Sequence, residues 1–165
     1  MKTLFIGGIK SGKSRLAEAY ILEQAATGKP YYLATTEFFD DEMQARIHIH
    51  QQRRQDLFIT IEEPVKLFDV LQKCQGAVLI ECVSMWLNNQ LYHQIPETEI
   101  LRELEALMTL PCEMVLVLNE VGLGIIPDNP LARQFIDLSG KAAQLMGQYC
   151  EKVFFCSAGL RIPMK

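Results

Sequence analysis

The chain lacks a C-x-x-C pair, a block of basic residues and any long unbroken apolar run. Each absence excludes a class of protein. The cysteines are Cys74, Cys82, Cys112, Cys150 and Cys156. Their number is odd and their spacing irregular, so neither a disulfide framework nor a zinc site is expected. Reduced thiols in a cytoplasm are the simple reading, and Cys82 alone falls near a site, by position only. The net charge is −4 with no basic cluster, which argues against a nucleic-acid partner. No apolar run reaches the roughly 18 residues that would cross a membrane, so no transmembrane segment is expected. The first residues lead directly into a strand and a loop, leaving no room for a signal peptide; the expected location is cytoplasmic. Internal repeats, low-complexity tracts and interdomain linkers are missing too.

What remains is an ordinary globular composition. Of 165 residues, 49% are hydrophobic and 22% charged, enough for a substantial core and too apolar for disorder. A single domain over residues 1–165 is expected.

Near the start stands FIGGIKSGKSRLAEA, residues 5–19. Gly7, four residues, then Gly12-Lys13-Ser14 is the pattern G-x-x-x-x-G-K-[ST] of a phosphate-binding loop. Its residue types follow from the chemistry. Glycines allow a tight turn in which several N–H groups face one anion. Lys13 adds a point charge for the outer phosphates, and the Ser14 hydroxyl is a Mg²⁺ ligand. The context agrees: Lys2-Thr3-Leu4-Phe5-Ile6 suits a buried strand, and the Ala-, Leu- and Glu-rich run after Ser14 suits a helix. The helix N-terminus adds positive potential at the phosphate. Gly7, Gly8, Ile9, Lys10, Ser11, Gly12, Lys13 and Ser14 are therefore the nucleotide-binding candidates, for ATP or GTP.

Apolar strand candidates alternate with helical stretches along the rest of the chain. Strands are expected at 2–6, 31–35, 58–61, 77–81, 114–118 and 152–156, and helices near 13–27, 40–54, 64–74, 97–109 and 130–149. This alternation predicts an α/β fold with a mostly parallel sheet. Ligands in such sheets bind beyond the carboxyl ends of the strands. The loop from Asn119 to Pro130, NEVGLGIIPDNP, is the longest break, and long ordered loops often carry function.

Two carboxylates fall on the same rim. Glu81 ends the strand AVLIE, where a phosphate-loop enzyme needs an acidic residue to hold Mg²⁺. Most such proteins use Asp there, so Glu is a departure. Glu120, after MVLVLN, is open to three readings: a Mg²⁺ ligand, a contact to a substrate hydroxyl, or a cap for its own loop. VSMWLNNQLY, residues 83–92, reads as core, with an interface or a substrate face for Met85 and Trp86 as the alternatives.

The stretch DDEMQARIHIHQQRR, residues 40–54, begins with acids suited to a helix N-terminus. It carries His48 and His50. Residues two apart on a helix point about 200° apart, whereas helical metal pairs use i, i+4 spacing, so a metal pair is not expected. The helical neighbours of His48 are Gln44, Ala45, Gln51 and Gln52; those of His50 are Arg46, Ile47, Arg53 and Arg54. Arginines hold phosphate oxygens in bidentate contacts. They also oppose protonation, which favours a neutral, nucleophilic imidazole. His50 thus has the surroundings of a phosphoryl or nucleotidyl acceptor. On the residues alone, a surface histidine on a charged helix is the simpler reading.

A resemblance shifts that balance. GGIKSGKSRLAE, LATTEFFDDEMQARIHIH, LIECVSMWLNNQL, LNEVGLGIIPDNPLARQFIDLSG and the ending SAGLRIPMK, in that order and spacing, resemble the bifunctional adenosylcobinamide kinase / adenosylcobinamide-phosphate guanylyltransferase family of cobalamin biosynthesis. The similarity covers nearly the whole chain, and the block from Asn119 to Gly140 is its most specific part. It implies a RecA-like P-loop NTPase domain, a three-layer sandwich. It also implies two reactions. A nucleoside triphosphate phosphorylates the aminopropanol hydroxyl of adenosylcobinamide. GTP then passes GMP, through a guanylylated histidine, to the cobinamide phosphate, giving adenosyl-GDP-cobinamide. The family's register points to His50 as acceptor, with His48 second. Thr60 and Glu62 match a T-x-E stretch near the guanine nucleotide, which makes Glu62 a candidate for ribose or base recognition. A homo-oligomer, usually a trimer, is implied as well.

Lys10 stands where the family usually has Arg, which keeps the charge but loses the fork. Ala143-Gln144 replaces a common Asn-Gln. Neither departure touches Lys13, Ser14 or His50, so both activities are expected. A single-activity small-molecule kinase and a non-catalytic GTP-binding switch are the alternatives that the NEVGLGIIP block argues against.

Overall fold

The computed structural model describes residues 1–25, 28–37 and 56–165. In chain order the elements are β1 (Lys2–Gly7), α1 (Lys13–Gln24), β2 (Tyr31–Ala34), β3 (Ile59–Glu62) and α2 (Leu67–Leu71). Then follow β4 (Val78–Glu81), α3 (Val83–Tyr92), α4 (Glu97–Thr109), β5 (Met114–Asn119), α5 (Pro130–Tyr149), β6 (Lys152–Ser157) and β7 (Leu160–Pro163). The strands form one 7-stranded sheet in the order β3-β2-β4-β5-β1-β6-β7. All neighbours are parallel except β6 and β7.

Side-chain alternation divides the core into two sheets of contact. Leu4, Ile6, Val78, Ile80, Met114, Leu116 and Leu118 face one side, where they pack with Trp86, Leu104 and Leu138 of α3, α4 and α5. Phe5, Leu79, Val115 and Val117 face the other, against Ala17, Tyr20 and Ile21 of α1. The sheet is therefore the middle of three layers. Strands buried on both faces read as continuous apolar runs, which is why MVLVL and VLI were legible. Each fully buried Leu, Ile, Val or Phe in these layers contributes about 1.5–3 kcal/mol.

All the expected strands form, with ends moved by a residue. The expected helix over 40–54 lies outside the described residues, and so do residues 26–27 of the first helix. Three differences stand out. The helix expected over 64–74 is only Leu67–Leu71. Glu63 Oε1 accepts from the N–H groups of Val65 and Lys66, holding that stretch in a turn. Tight i to i+3 bonds from Lys73 and Cys74 end the helix. VSMWLNNQLY is core, as read, but as a helix: Val83, Ser84, Trp86, Leu87, Asn89 and Gln90 form its buried stripe. The polar members of that stripe hid the apolar period. Finally, β7 is an exposed antiparallel edge, where Pro163 is tolerated.

Register sets one rim. Gly7 pairs with Asn119 and Cys156, and Ala34 with Glu81 and Glu62. The carboxyl ends of the parallel strands thus share a level, and the loops after them are neighbours.

Candidate active site

The loop after β1 is shaped by close approaches that only glycine permits. A Cβ on Gly7 would lie 2.3 Å from the Cys156 carbonyl oxygen and 2.9 Å from Ser11 Oγ. Gly12 has φ of 89°, and its missing Cβ would meet Gly159 Cα at 3.0 Å. The turn between β6 and β7, with Ala158 at φ 52° and Gly159 at φ 77°, braces the loop from outside. Gly159 N–H donates to the Ser11 carbonyl at 2.9 Å, and Ser11 N–H to the Gly8 carbonyl at 3.2 Å. Ser11 Oγ is buried, with no hydrogen-bond partner among the described residues.

Helix α1 begins at Lys13 with Gly12 as N-cap, no side-chain cap and no acid in its first turn. Its first N–H groups and its dipole therefore present positive potential to the loop. Lys13 is buried at 7% exposure, and its Nζ reaches the Gly8 carbonyl at 3.2 Å. Ser14 Oγ donates to Glu81 Oε1 at 2.8 Å. Two oxygen-bearing side chains from α1 and β4 thus meet beside an ammonium group, an arrangement suited to a hard cation and a polyphosphate.

Glu81 is held from behind. The N–H of Thr35 donates to its carbonyl at 3.2 Å. Next in the chain, burial and the Glu81 charge push the Cys82 thiol up to about 12. Cys82 is thus a neutral, packed side chain and no nucleophile.

A cleft of about 630 Å³ runs from the loop along α1, lined by Lys10, Gly12, Lys13, Ser14, Arg15, Glu18, Leu22, Leu57, Phe58 and Gly159. Its loop end is basic and its far end apolar. Sequence reasoning missed Arg15 and Gly159. Arg15 directly follows the motif, and Gly159 sits in the turn SAGL, whose glycine was the available signal.

Other expected residues divide. Glu120 Oε1 accepts from Gly122 N–H, so its carboxylate caps its own loop, and its N–H donates to the Gly7 carbonyl at 2.9 Å. Asn119 N–H donates to the buried Ser84 Oγ at 2.7 Å. Trp86 is fully buried and donates from Nε1 to the Val65 carbonyl at 2.8 Å, which excludes a substrate face for it. Glu62 ends the edge strand β3, four strand positions from β1. It shares the level of Ala34 and Glu81 with only β2 between, so at ~4.8 Å per strand its backbone lies about 10 Å from that of Glu81. His48, His50, Arg46, Arg53 and Arg54 lie outside the described residues. Among the described residues no cluster of three metal-ligating side chains occurs, and no helix is long and apolar enough to cross a membrane.

A P-loop at the carboxyl rim of a mostly parallel sheet, with an acidic residue opposite its Ser, defines a P-loop nucleotide-binding domain of RecA-like fold. The fold is similar to that of an ATPase from the type III secretion system of pathogenic bacteria. That likeness has a TM-score of 0.52 and 10% identity, over 98% of this chain and 56% of that one.

Residues 3–164 match the model of the cobinamide kinase / cobinamide phosphate guanyltransferase family, and the chain belongs to that family. It is similar to the bifunctional adenosylcobalamin biosynthesis protein CobP of Pseudomonas aeruginosa, 39% identical over all of this chain and 98% of that protein. It is likewise similar to CobU of Escherichia coli, 34% identical over the full length of both. CobU of Salmonella typhimurium is 32% identical, again over both whole chains. The chain is thus a bifunctional kinase and guanylyltransferase of cobalamin biosynthesis, acting on cobinamide and its phosphate with nucleotide substrates. The single-activity kinase and the non-catalytic switch give way to this reading.

Proposed function

We propose that one domain, residues 1–165, performs both reactions with a shared triphosphate cradle, in the cytoplasm and as a homo-oligomer, a trimer by family resemblance. The observation that carries this is the 2.8 Å contact of Ser14 with Glu81 beside the buried Lys13. In the first reaction the substrate is adenosylcobinamide and the donor ATP or GTP. The loop from Gly7 to Gly12 and the first turn of α1 would bind the phosphates through their N–H groups, and Lys13 would hold the β- and γ-oxygens. Ser14 and Glu81 would hold Mg²⁺, which when bound supplies neutralising charge to the transferred phosphoryl group. Buried Lys13 excludes water from the inner end of the cradle and keeps its ammonium aimed at the transferred group.

In the second reaction His50 attacks the α-phosphorus of GTP. A nitrogen–phosphorus bond forms, the bond to the β-phosphate oxygen breaks, and pyrophosphate leaves into the cradle. A phosphate oxygen of adenosylcobinamide phosphate then displaces His50, giving adenosyl-GDP-cobinamide. The covalent intermediate splits one difficult substitution into two. Arg46, Arg53 and Arg54 favour the neutral imidazole and take phosphate oxygens. Glu62, at the carboxyl end of the edge strand, suits the ribose or base of a nucleotide whose phosphates face His50.

GTP labelled at the α-phosphate tests this. The protein is incubated with it and Mg²⁺, denatured, and assayed for retained label. Label stable to alkali but not acid, lost in His50→Ala and kept in His48→Ala, is expected. Absence of label from wild-type protein that demonstrably binds nucleotide would sink the histidine route.

A further inference from the structure

Thr35 follows β2 and is fully buried, at 0% exposure. The backbone ladder between β2 and β4 ends at the pair Ala34–Glu81. Thr35 extends it. Its N–H donates to the Glu81 carbonyl at 3.2 Å. Beyond that point its side chain replaces the backbone. The hydroxyl donates to the Cys82 carbonyl at 2.7 Å and accepts from the Cys82 N–H at 3.0 Å. Its own carbonyl accepts from Asn89 Nδ2 at 2.7 Å, and the same amide group reaches the Pro64 carbonyl at 2.9 Å.

Every polar group of Thr35 is thus engaged by the segment that turns from β4 into α3, or by α3 itself. A hydroxyl gives and takes a hydrogen bond through a single atom, which lets Thr35 hold both peptide groups of Cys82. That segment carries Glu81, and where its backbone sits decides whether the carboxylate meets Ser14. A carboxylate on the last residue of a strand has no ladder beyond it, and Thr35 supplies a restraint there.

We propose that Thr35 is a positioning residue for the metal-binding carboxylate of Glu81, acting through both hydrogen bonds of its hydroxyl to Cys82. The inference rests on the reading of Glu81 as a ligand of the nucleotide-bound metal. It assigns no contact between Thr35 and substrate.

The test measures Mn²⁺ binding by electron paramagnetic resonance, on the full chain with a non-hydrolysable GTP analogue, at a temperature below the melting point of every variant. Thr35→Val, close to isosteric but without the hydroxyl, is expected to weaken Mn²⁺ binding by about 10–100-fold, as loss of a partner behind a metal ligand does. Thr35→Ser is expected to restore it. Thr35→Ala, whose smaller side chain leaves room for a water molecule, carries the same expectation of weakening if Thr35→Val does not fold. A lowered melting temperature with unchanged Mn²⁺ affinity would show a merely structural role and overturn the proposal. Glu81→Gln separates the two levels. If it weakens Mn²⁺ binding while Thr35→Val does not, the Thr35 proposal alone fails. If Glu81→Gln leaves the affinity unchanged, the metal reading of Glu81 fails, and the Thr35 proposal with it.

Discussion

Ser14 Oγ and Glu81 Oε1 lie 2.8 Å apart, joining the first turn of α1 to the end of β4. The two residues are 67 positions apart in the chain, and the contact exists because β1, β5 and β4 stand side by side. The loop after β1 and the carboxylate after Ile80 then face each other across one rim.

A shared cradle makes a joint prediction for the two activities. Lys13→Ala removes a preorganised charge, and both phosphorylation and GMP transfer are expected to fall by on the order of 10²–10³-fold. Glu81→Gln should slow both and raise the Mg²⁺ concentration needed for half-maximal rate. Separate assays of the two half-reactions check this. A Lys13→Ala protein impaired in only one of them would refute the common site.

Gly7→Ala probes the brace between the loop and β6. Its Cβ would stand 2.3 Å from a backbone oxygen, a contact that requires the strand to move. Overpacking of this kind costs about 1–3 kcal/mol, and here the neighbour is backbone and cannot rotate away. Thermal denaturation should show a clear loss of stability together with weaker nucleotide binding. Gly124→Ala, where nothing lies within 4 Å of the new Cβ, is the comparison and should leave stability nearly unchanged.

The buried thiols give a chemical test of the packing. Burial raises Cys82 to about 12, as it does Cys150. At about pH 8 only about 10⁻⁴ of either is thiolate, the form that reacts. Iodoacetamide under native conditions should leave both unmodified, as read by peptide mass spectrometry. Cys74 and Cys112 are only half-buried and should react first. Rapid labelling of Cys82 in folded protein would contradict the packing around Glu81.

Two glutamates away from the site predict opposite pH effects on stability. Glu151 accepts the N–H of Lys2, which lowers its carboxyl below 4.5. Its contribution is therefore present above the unfolded value and is lost as pH falls through the lower folded one. Glu103 is raised above 4.5, first by burial against α2. The native state holds its proton longer, so its effect on stability declines as pH rises from the unfolded value through the folded one. Glu103→Gln, which resembles the protonated form, should gain stability relative to wild type as pH rises above 4.5. Glu151→Gln should flatten the acid limb instead. Denaturant titrations at a series of pH values test both signs.

The order of elements was readable because the physics there is local. MVLVL has no polar residue to place at a surface, so a strand buried on both faces is its natural state. Asn129-Pro130 marks the start of α5, and Asn129 Oδ1 does accept from Leu131 and Ala132 N–H. Helix α3 was harder. Its buried stripe includes Ser84, Asn89 and Gln90, and no apolar period reveals polar groups whose partners come from other segments. The exposed edge β7 was unreadable for the converse reason, since all its side chains stay exposed and leave no apolar pattern.

The phosphate loop, the helix that follows it, the alternating α/β plan and, through the block from Asn119 to Gly140, the family can all be read from residue order. Those features depend on residue types at short spacing, which local sterics and hydrogen bonding enforce. Which carboxylate meets Ser14, that Glu120 turns back on its own loop, and that Trp86 is core came from the folded chain. So did the turn at Gly159 that closes over Gly12 and the grip of Thr35 on Cys82. Apart from that of Glu120, those relationships join residues far apart in the chain. They are set by strand order and register, which arise when the whole sheet buries both faces at once.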